Sequence, residues 1–238
     1  MISMFLSQSS PEVLPCAQYK HVIFDGSFVH KRVISIVVLI DAESGMPIRC
    51  AYNVKENSEP ALLTFFMSLQ HQGFYPKSCT TDGNPRVIKV LKQLWPNVQL
   101  QRCLVHVQRQ GLMWCRVHPK TVMARRLREL FVQLLFVRSD GEKERWCEYF
   151  MAWEEKYAPA LRGQVHGWVM TDLKSAYRML KNALPYLFEY LSCPKIPATT
   201  NRAEGFFSHV KRAYKRHAGL ALRQRESFIR WFIHFQQH

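Results

Sequence analysis

Between residues 21 and 106 the apolar pattern alternates between the two-residue period of a strand and the 3.6-residue period of a helix, and this restricts the chain to a layered α/β fold. Val22-Ile23-Phe24, Val33 to Ile40 and Ile48 to Tyr52 are runs rich in β-branched and aromatic residues, which suit a pleated, half-buried surface. Asp41-Ala42-Glu43-Ser44-Gly45 supplies turn chemistry between the second and third runs. Leu62, Phe65, Phe66 and Leu69 then fall at helical spacing within 59–73. Ser78 to Thr81 reads as a strand. A helix follows from Pro85, whose missing N–H is not needed at a helix start, with Val87, Val90, Leu91 and Leu94 as its apolar face. Val98 to Cys103 is a further strand. The predicted order is β-β-β-α-β-α-β.

From 107 to 198 the periodicity is helical throughout. Leu127, Leu130, Phe131, Leu134 and Leu135 make one stripe, and Ser139-Asp140-Gly141-Glu142 has the pattern of a capping box. Thr171-Asp172 offers a cap for another helix running towards Pro185. Trp146, Tyr149, Phe150, Trp153, Tyr157 and Trp168 are expected to be helix-packing core. A final basic helix follows residue 199. The expected organisation is a tail or boundary segment over 1–20, an α/β layer over 21–106, an all-α block over 107–198 and a last helical part over 199–238.

The 238 residues carry 33 Lys and Arg against 18 Asp and Glu, a formal net charge of +15, which favours a polyanion such as nucleic acid as partner. Seven cysteines, an odd count with no Cys-x-x-Cys pair, read as free thiols in a reducing compartment. Ile36 to Ile40 is the longest clean apolar run, far short of the roughly 20 residues of a membrane helix, and no signal-peptide pattern opens the chain.

Three acidic residues sit where an α/β fold gathers chemistry. Asp25 closes the run His21 to Asp25 ahead of Gly26, Asp82 closes the strand Ser78 to Thr81, and Glu204 opens the last helix. Carboxylates at strand ends and a helix start can meet at one sheet edge, and hard oxygen donors in a basic chain point to magnesium acting on nucleic acid. Each has a plainer reading. Asp25-Gly26 can be a turn, Asp82 a turn or helix cap, and Glu204 the partner of Asn201 in a capping box. On a helical wheel Ala203, Phe206, Phe207, Val210 and Tyr214 form the apolar stripe. Glu204, Ser208, Lys211 and Lys215 form a second one, which suits a carboxylate beside a phosphate track. Lys211, Arg212, Lys215 and Arg216 are the expected DNA contacts, continued by His217, Arg223 and Arg225, with Arg125, Arg126 and Arg128 in the helical block. The other reading of these charges is a solvated face.

Cys103-Leu104-Val105-His106 and Cys115-Arg116-Val117-His118 repeat one spacing. Their order and linker fit no common zinc finger, so structural roles are expected.

Taken in order, Asp25, Asp82, Cys103-x-x-His106, a long helical segment and Glu204 resemble the Mutator-like superfamily of DDE transposases, including its bacterial insertion-sequence members, over about 21–238. The resemblance implies an RNase H-like fold, a mixed five-stranded sheet with flanking helices, interrupted by an all-α insertion before the last core helix. It assigns Asp25, Asp82 and Glu204 to a catalytic, metal-holding triad and Cys103 and His106 to the family's Cys-x-x-His motif. It implies two magnesium ions, with manganese as a substitute, clamping the scissile phosphate. The implied partners are transposon-end and target DNA and further copies of the chain, with no membrane, in the cytoplasm or nucleoid, or in the nucleus of a eukaryote. Relatives carry an N-terminal end-recognition segment, for which a first triad residue only 25 residues into the chain leaves no room. The expectation is therefore a truncated or decayed copy or an isolated catalytic domain. A nuclease or resolvase on the same fold, or an inactive DNA-binding derivative, are the competing expectations.

Overall fold

Five strands form one mixed sheet in the order β3-β2-β1-β4-β5. This computed structural model describes residues 16–30, 34–163, 166–217 and 219–237. The strands are β1 (His21–His30), β2 (Ile34–Asp41), β3 (Pro47–Tyr52), β4 (Ser78–Thr81) and β5 (Gln99–Arg102). β1 to β3 are an antiparallel meander, whereas β4 joins β1 in parallel. A parallel neighbour needs a crossover, and α1 (Glu59–Gln70) supplies it. α1 starts where Ser58 accepts from the Ala61 N–H and Pro60 takes a first-turn position. α2 (Pro85–Leu94) then connects β4 to β5, capped by Asn84, whose side chain accepts from the Arg86 N–H.

Side chains alternate across β1, so its two faces carry different cores. Phe24 meets Phe65 and Phe66 of α1 at 5.9 and 4.9 Å between ring centroids. Ile23, on the other face, packs with Ile36, Val38 and Ile40 and with Ala203, Phe207 and Val210 of α8 (Asn201–Arg216). α9 (Leu222–Gln237) adds Ile229 to the same core. Fully burying a side chain such as Phe207 or Val210 is worth about 1.5–3 kcal/mol, which fixes α8 to this face.

The chain divides into two compact units, one made of 1–100 with 195–238 and the other of 101–194. The first holds the sheet helices described above, so it is discontinuous in sequence. The second is helical: α3 (Leu104–Cys115), α4 (Val122–Gln133), α5 (Asp140–Tyr157), α6 (Trp168–Ala183) and the single turn α7 (Glu189–Ser192). α3 and α4 approach closely because residue 111 is glycine; a Cβ there would lie 2.3 Å from the Phe131 ring. Trp146, Phe150 and Trp153 of α5 are buried as expected, with the Trp146 indole N–H donating to the Leu130 carbonyl at 3.0 Å.

Several expectations need correcting. Tyr149 and Trp168 are exposed, and Trp168 lies beneath Arg116 and Lys120, 5.2 and 4.9 Å from its ring. α6 begins at Trp168 after Gly167, so Thr171 and Asp172 lie inside it and do not cap it. Within the expected tail, Cys16 is fully buried and the Lys20 carbonyl accepts from the N–H of Lys77 and Ser78; residues 1–15 lie outside the described residues. No helix among the described residues is long and apolar enough to cross a membrane.

Candidate active site

The first two aspartates come from the two strands of the parallel pair. His21 lies beside Ser78, Val22 beside Cys79 and Ile23 beside Thr80, a constant offset of 57 positions. Asp25 and Asp82 differ by the same offset, so continuing the register brings them to adjacent places where β4 ends. Asp25 is not a turn residue. β1 continues through Gly26 to His30, pairing Asp25 with Val38 and Gly26 with Val37. It is a carboxylate within a central strand, only 6% exposed. Its Oδ1 accepts from the Gly26 N–H at 2.8 Å. Asp82 follows β4, and its Oδ1 accepts from the Asn84 N–H at 2.9 Å and the Thr81 hydroxyl at 3.3 Å. The helix cap itself is Asn84.

Alternation places Asp25 on the face of β1 that carries Ile23 and Ser27, the face covered by α8. Two contacts orient this helix along the strand. Near its start, Arg202 donates to the carbonyls of Ala42 and Glu43 at 2.8 and 3.0 Å, and the Ala42 N–H donates to the His21 carbonyl at the beginning of β1. Further on, the Lys211 ammonium donates to the Ser27 hydroxyl at 2.6 Å. α8 therefore runs in the sense of β1, and Glu204 falls between these two anchors, over the strand that carries Asp25. The capping box expected of Asn201 and Glu204 is not what opens the helix. The N-cap is Thr200, fully buried and making no side-chain cap bond, and Asn201 is already helical.

The segment leading into α8 is tied to the same place. The Thr80 hydroxyl, fully buried on β4, donates to the Pro197 carbonyl at 2.8 Å. Ser78 is buried beside it and shares a hydrogen bond of 2.9 Å with the His21 ring. Cys79 offers no nucleophile, because burial pushes its thiol up to about 12.

Carboxylates such as those of Asp25, Asp82 and Glu204 are the donor type a hard cation takes. Among the described residues no three His, Cys, Asp or Glu side chains close into a group able to hold a metal by themselves. Magnesium does not need such a cage, since it keeps several waters and binds one or two carboxylates together with substrate phosphates.

Arg212, Lys215 and Arg216 are exposed along α8 beyond Lys211. Arg225 lies over the Tyr214 ring at 5.5 Å, and the Arg223 side chain lies outside the described residues. Cys103 and His106 belong to the other unit, where Cys103 is the buried N-cap of α3. Cys115 is buried too, its thiol pushed up to about 12. In the helical unit Arg126 pairs with Glu129 at 3.1 Å and Arg128 donates to the Arg116 carbonyl. Sequence reasoning overlooked Glu56, whose carboxylate lies against Gly26. Its only signal was a glycine inside a strand.

A mixed five-stranded sheet with flanking helices places the chain in the α/β class. The family described as "Transposase, Mutator family" matches residues 6–231, and the chain belongs to it. A search of curated proteins found no match. The chain is thus a transposase by family, and a transposase works on DNA.

Proposed function

We propose that this chain is the catalytic part of a DDE transposase with an RNase H-like core, in which Asp25, Asp82 and Glu204 hold divalent magnesium and cut DNA phosphodiesters. The observation that supports this reading is the parallel register of β1 and β4, whose offset of 57 positions is also the spacing of Asp25 and Asp82. Bound there, magnesium would activate a water or a 3′-hydroxyl and stabilise the leaving oxygen. The chain's own groups do the rest. The Gly26 and Asn84 N–H groups each hold one oxygen of an aspartate and so orient its carboxylate. Burial of Asp25 strengthens its pull on a cation, because a low-dielectric setting screens charge less. Lys211 stands beside Ser27, one alternation beyond Asp25, where a phosphate would meet it; Arg212, Lys215 and Arg216 extend the track without reading sequence.

The helical segment between β5 and α8 is read as the family's insertion, with Cys103 and His106 as its Cys-x-x-His motif. Transposon ends and target DNA are the substrates, wherever the cell keeps its DNA, and more than one copy acts when two ends are joined.

The test is cleavage of duplex DNA carrying the element's end, with magnesium present. Asp82→Asn and Glu204→Gln should lower the rate on the order of a thousandfold, which corresponds to several kcal/mol of lost charge stabilisation. Stability should change by no more than the about 0.5–2 kcal/mol of a lost cap. Folded variants that cleave at the wild-type rate would reduce these residues to structural roles.

A further inference from the structure

Both aspartates are held through a neighbour, and both neighbours lead to one residue. A Cβ placed on Gly26 would lie 2.4 Å from Cδ and from Oε2 of Glu56, closer than real Cβ atoms come. Gly26 does not have the positive φ seen at Gly45, Gly73 or Gly83. Glycine is therefore needed there for space and not for backbone conformation. The same Gly26 donates its N–H to Asp25 Oδ1 at 2.8 Å. On the neighbouring strand end, Asn84 donates its N–H to Asp82 Oδ1 at 2.9 Å and its side-chain amide to the Glu56 carbonyl at 3.2 Å. Asn84 is further fixed by accepting from the Arg86 N–H at 3.0 Å, as the cap of α2.

We infer that Glu56 is a positioning residue that sets Asp25 and Asp82 relative to each other. Its carboxylate rests on the residue that holds Asp25, and its backbone holds the residue that holds Asp82. Alternation puts Gly26 and the Glu56 carboxylate on the Phe24 face of β1, opposite the face that presents Asp25. Glu56 thus acts through the backbone and is not a ligand of the ion. Partners at this remove orient ligating carboxylates, and their loss typically costs 10- to 100-fold in metal affinity or activity. The inference rests on the reading that the two aspartates hold a divalent cation.

Two different substitutions empty the same seat. Glu56→Ala removes the carboxylate. Gly26→Ala displaces it, at little cost in folding because what must move is the far end of a flexible side chain. The measurement is manganese binding to the full chain in complex with duplex DNA carrying the element's end, followed by water proton relaxation and corrected for the DNA alone. Each variant should weaken binding about tenfold. The double variant should be no weaker than either single one, and Glu56→Gln, of the same shape, should stay within about twofold of wild type. In the cleavage assay, kcat should fall with KM for DNA unchanged. Single variants that bind manganese as wild type does would overturn the proposal, as would losses that multiply in the double variant. Wild type that binds no manganese would refute the metal reading itself, and the role of Glu56 with it.

Discussion

The two units keep their polar groups in different places. Eight polar or charged residues are buried among the described ones, namely Asp25, Ser35, Asp41, Ser78, Thr80, Thr81, Gln101 and Thr200. Seven belong to the first unit and Gln101, at the β5 end of the sheet, to the second; four of the eight are on β1 or β4. The helical unit buries indole and phenyl rings, and its Lys181–Glu154 ion pair at 2.5 Å is open to solvent on the lysine side. Gln101 is fully satisfied, donating to the carbonyls of Arg102 and Leu187 and accepting from the Tyr190 N–H. Buried polar groups cost free energy unless they are paired. Half of them lie on β1 and β4, the strands around which the proposed site is built.

That contrast can be broken by mutation. The largest effect on stability should come from the apolar unit. Trp146 stacks on Phe150 at 5.9 Å, meets Phe188 at 5.5 Å and is 2% exposed. Trp146→Ala should cost about 3–5 kcal/mol in urea unfolding, and a loss under about 1 kcal/mol would mean that the ring is not core. Thr80→Val should cost less, about 1–3 kcal/mol, because the Pro197 carbonyl loses its donor at nearly constant volume. It should also slow cleavage, since Pro197 leads into the helix bearing Glu204. A variant as active as wild type would detach that segment from the site.

The smallest effect is electrostatic. Lys181 first, and then the Tyr177 hydroxyl, hold the Glu154 carboxyl below its ordinary value of 4.5 by hydrogen bonding. A depressed carboxylate stabilises the fold above its unfolded pKa, and this contribution is lost as pH falls through the folded value. Wild type should therefore lose more stability than Glu154→Gln as the pH drops below about 5, by less than about 1 kcal/mol for a largely solvated pair. Parallel acid unfolding curves for the two proteins would contradict this.

The sequence made the sheet legible because period-two runs and helical stripes are local signals. The predicted strand and helix order of residues 21–106 matches the structure. Asp82 was legible for the same reason, since a strand followed by Asn-Pro announces a helix start. Asp25 was misplaced at a strand end, because Asp-Gly is turn chemistry in isolation and only pairing with Val38 and Val37 holds it extended. Asn201 looked like a cap by type, but the chain enters α8 through Thr200. The Glu56–Gly26 contact links positions 30 apart, and no local pattern encodes it. Tyr149 and Trp168 fell on helical stretches whose facing side is decided by neighbours that the sequence does not specify.

The central claim is that Asp25 and Asp82 share a cation on the face beneath α8. Crystals of the chain grown with DNA and manganese, measured for anomalous scattering, test it most directly. A manganese peak is expected within bonding distance of both aspartates, with Glu204 beside it. No peak there, or a peak at Cys103 and His106 instead, would contradict it.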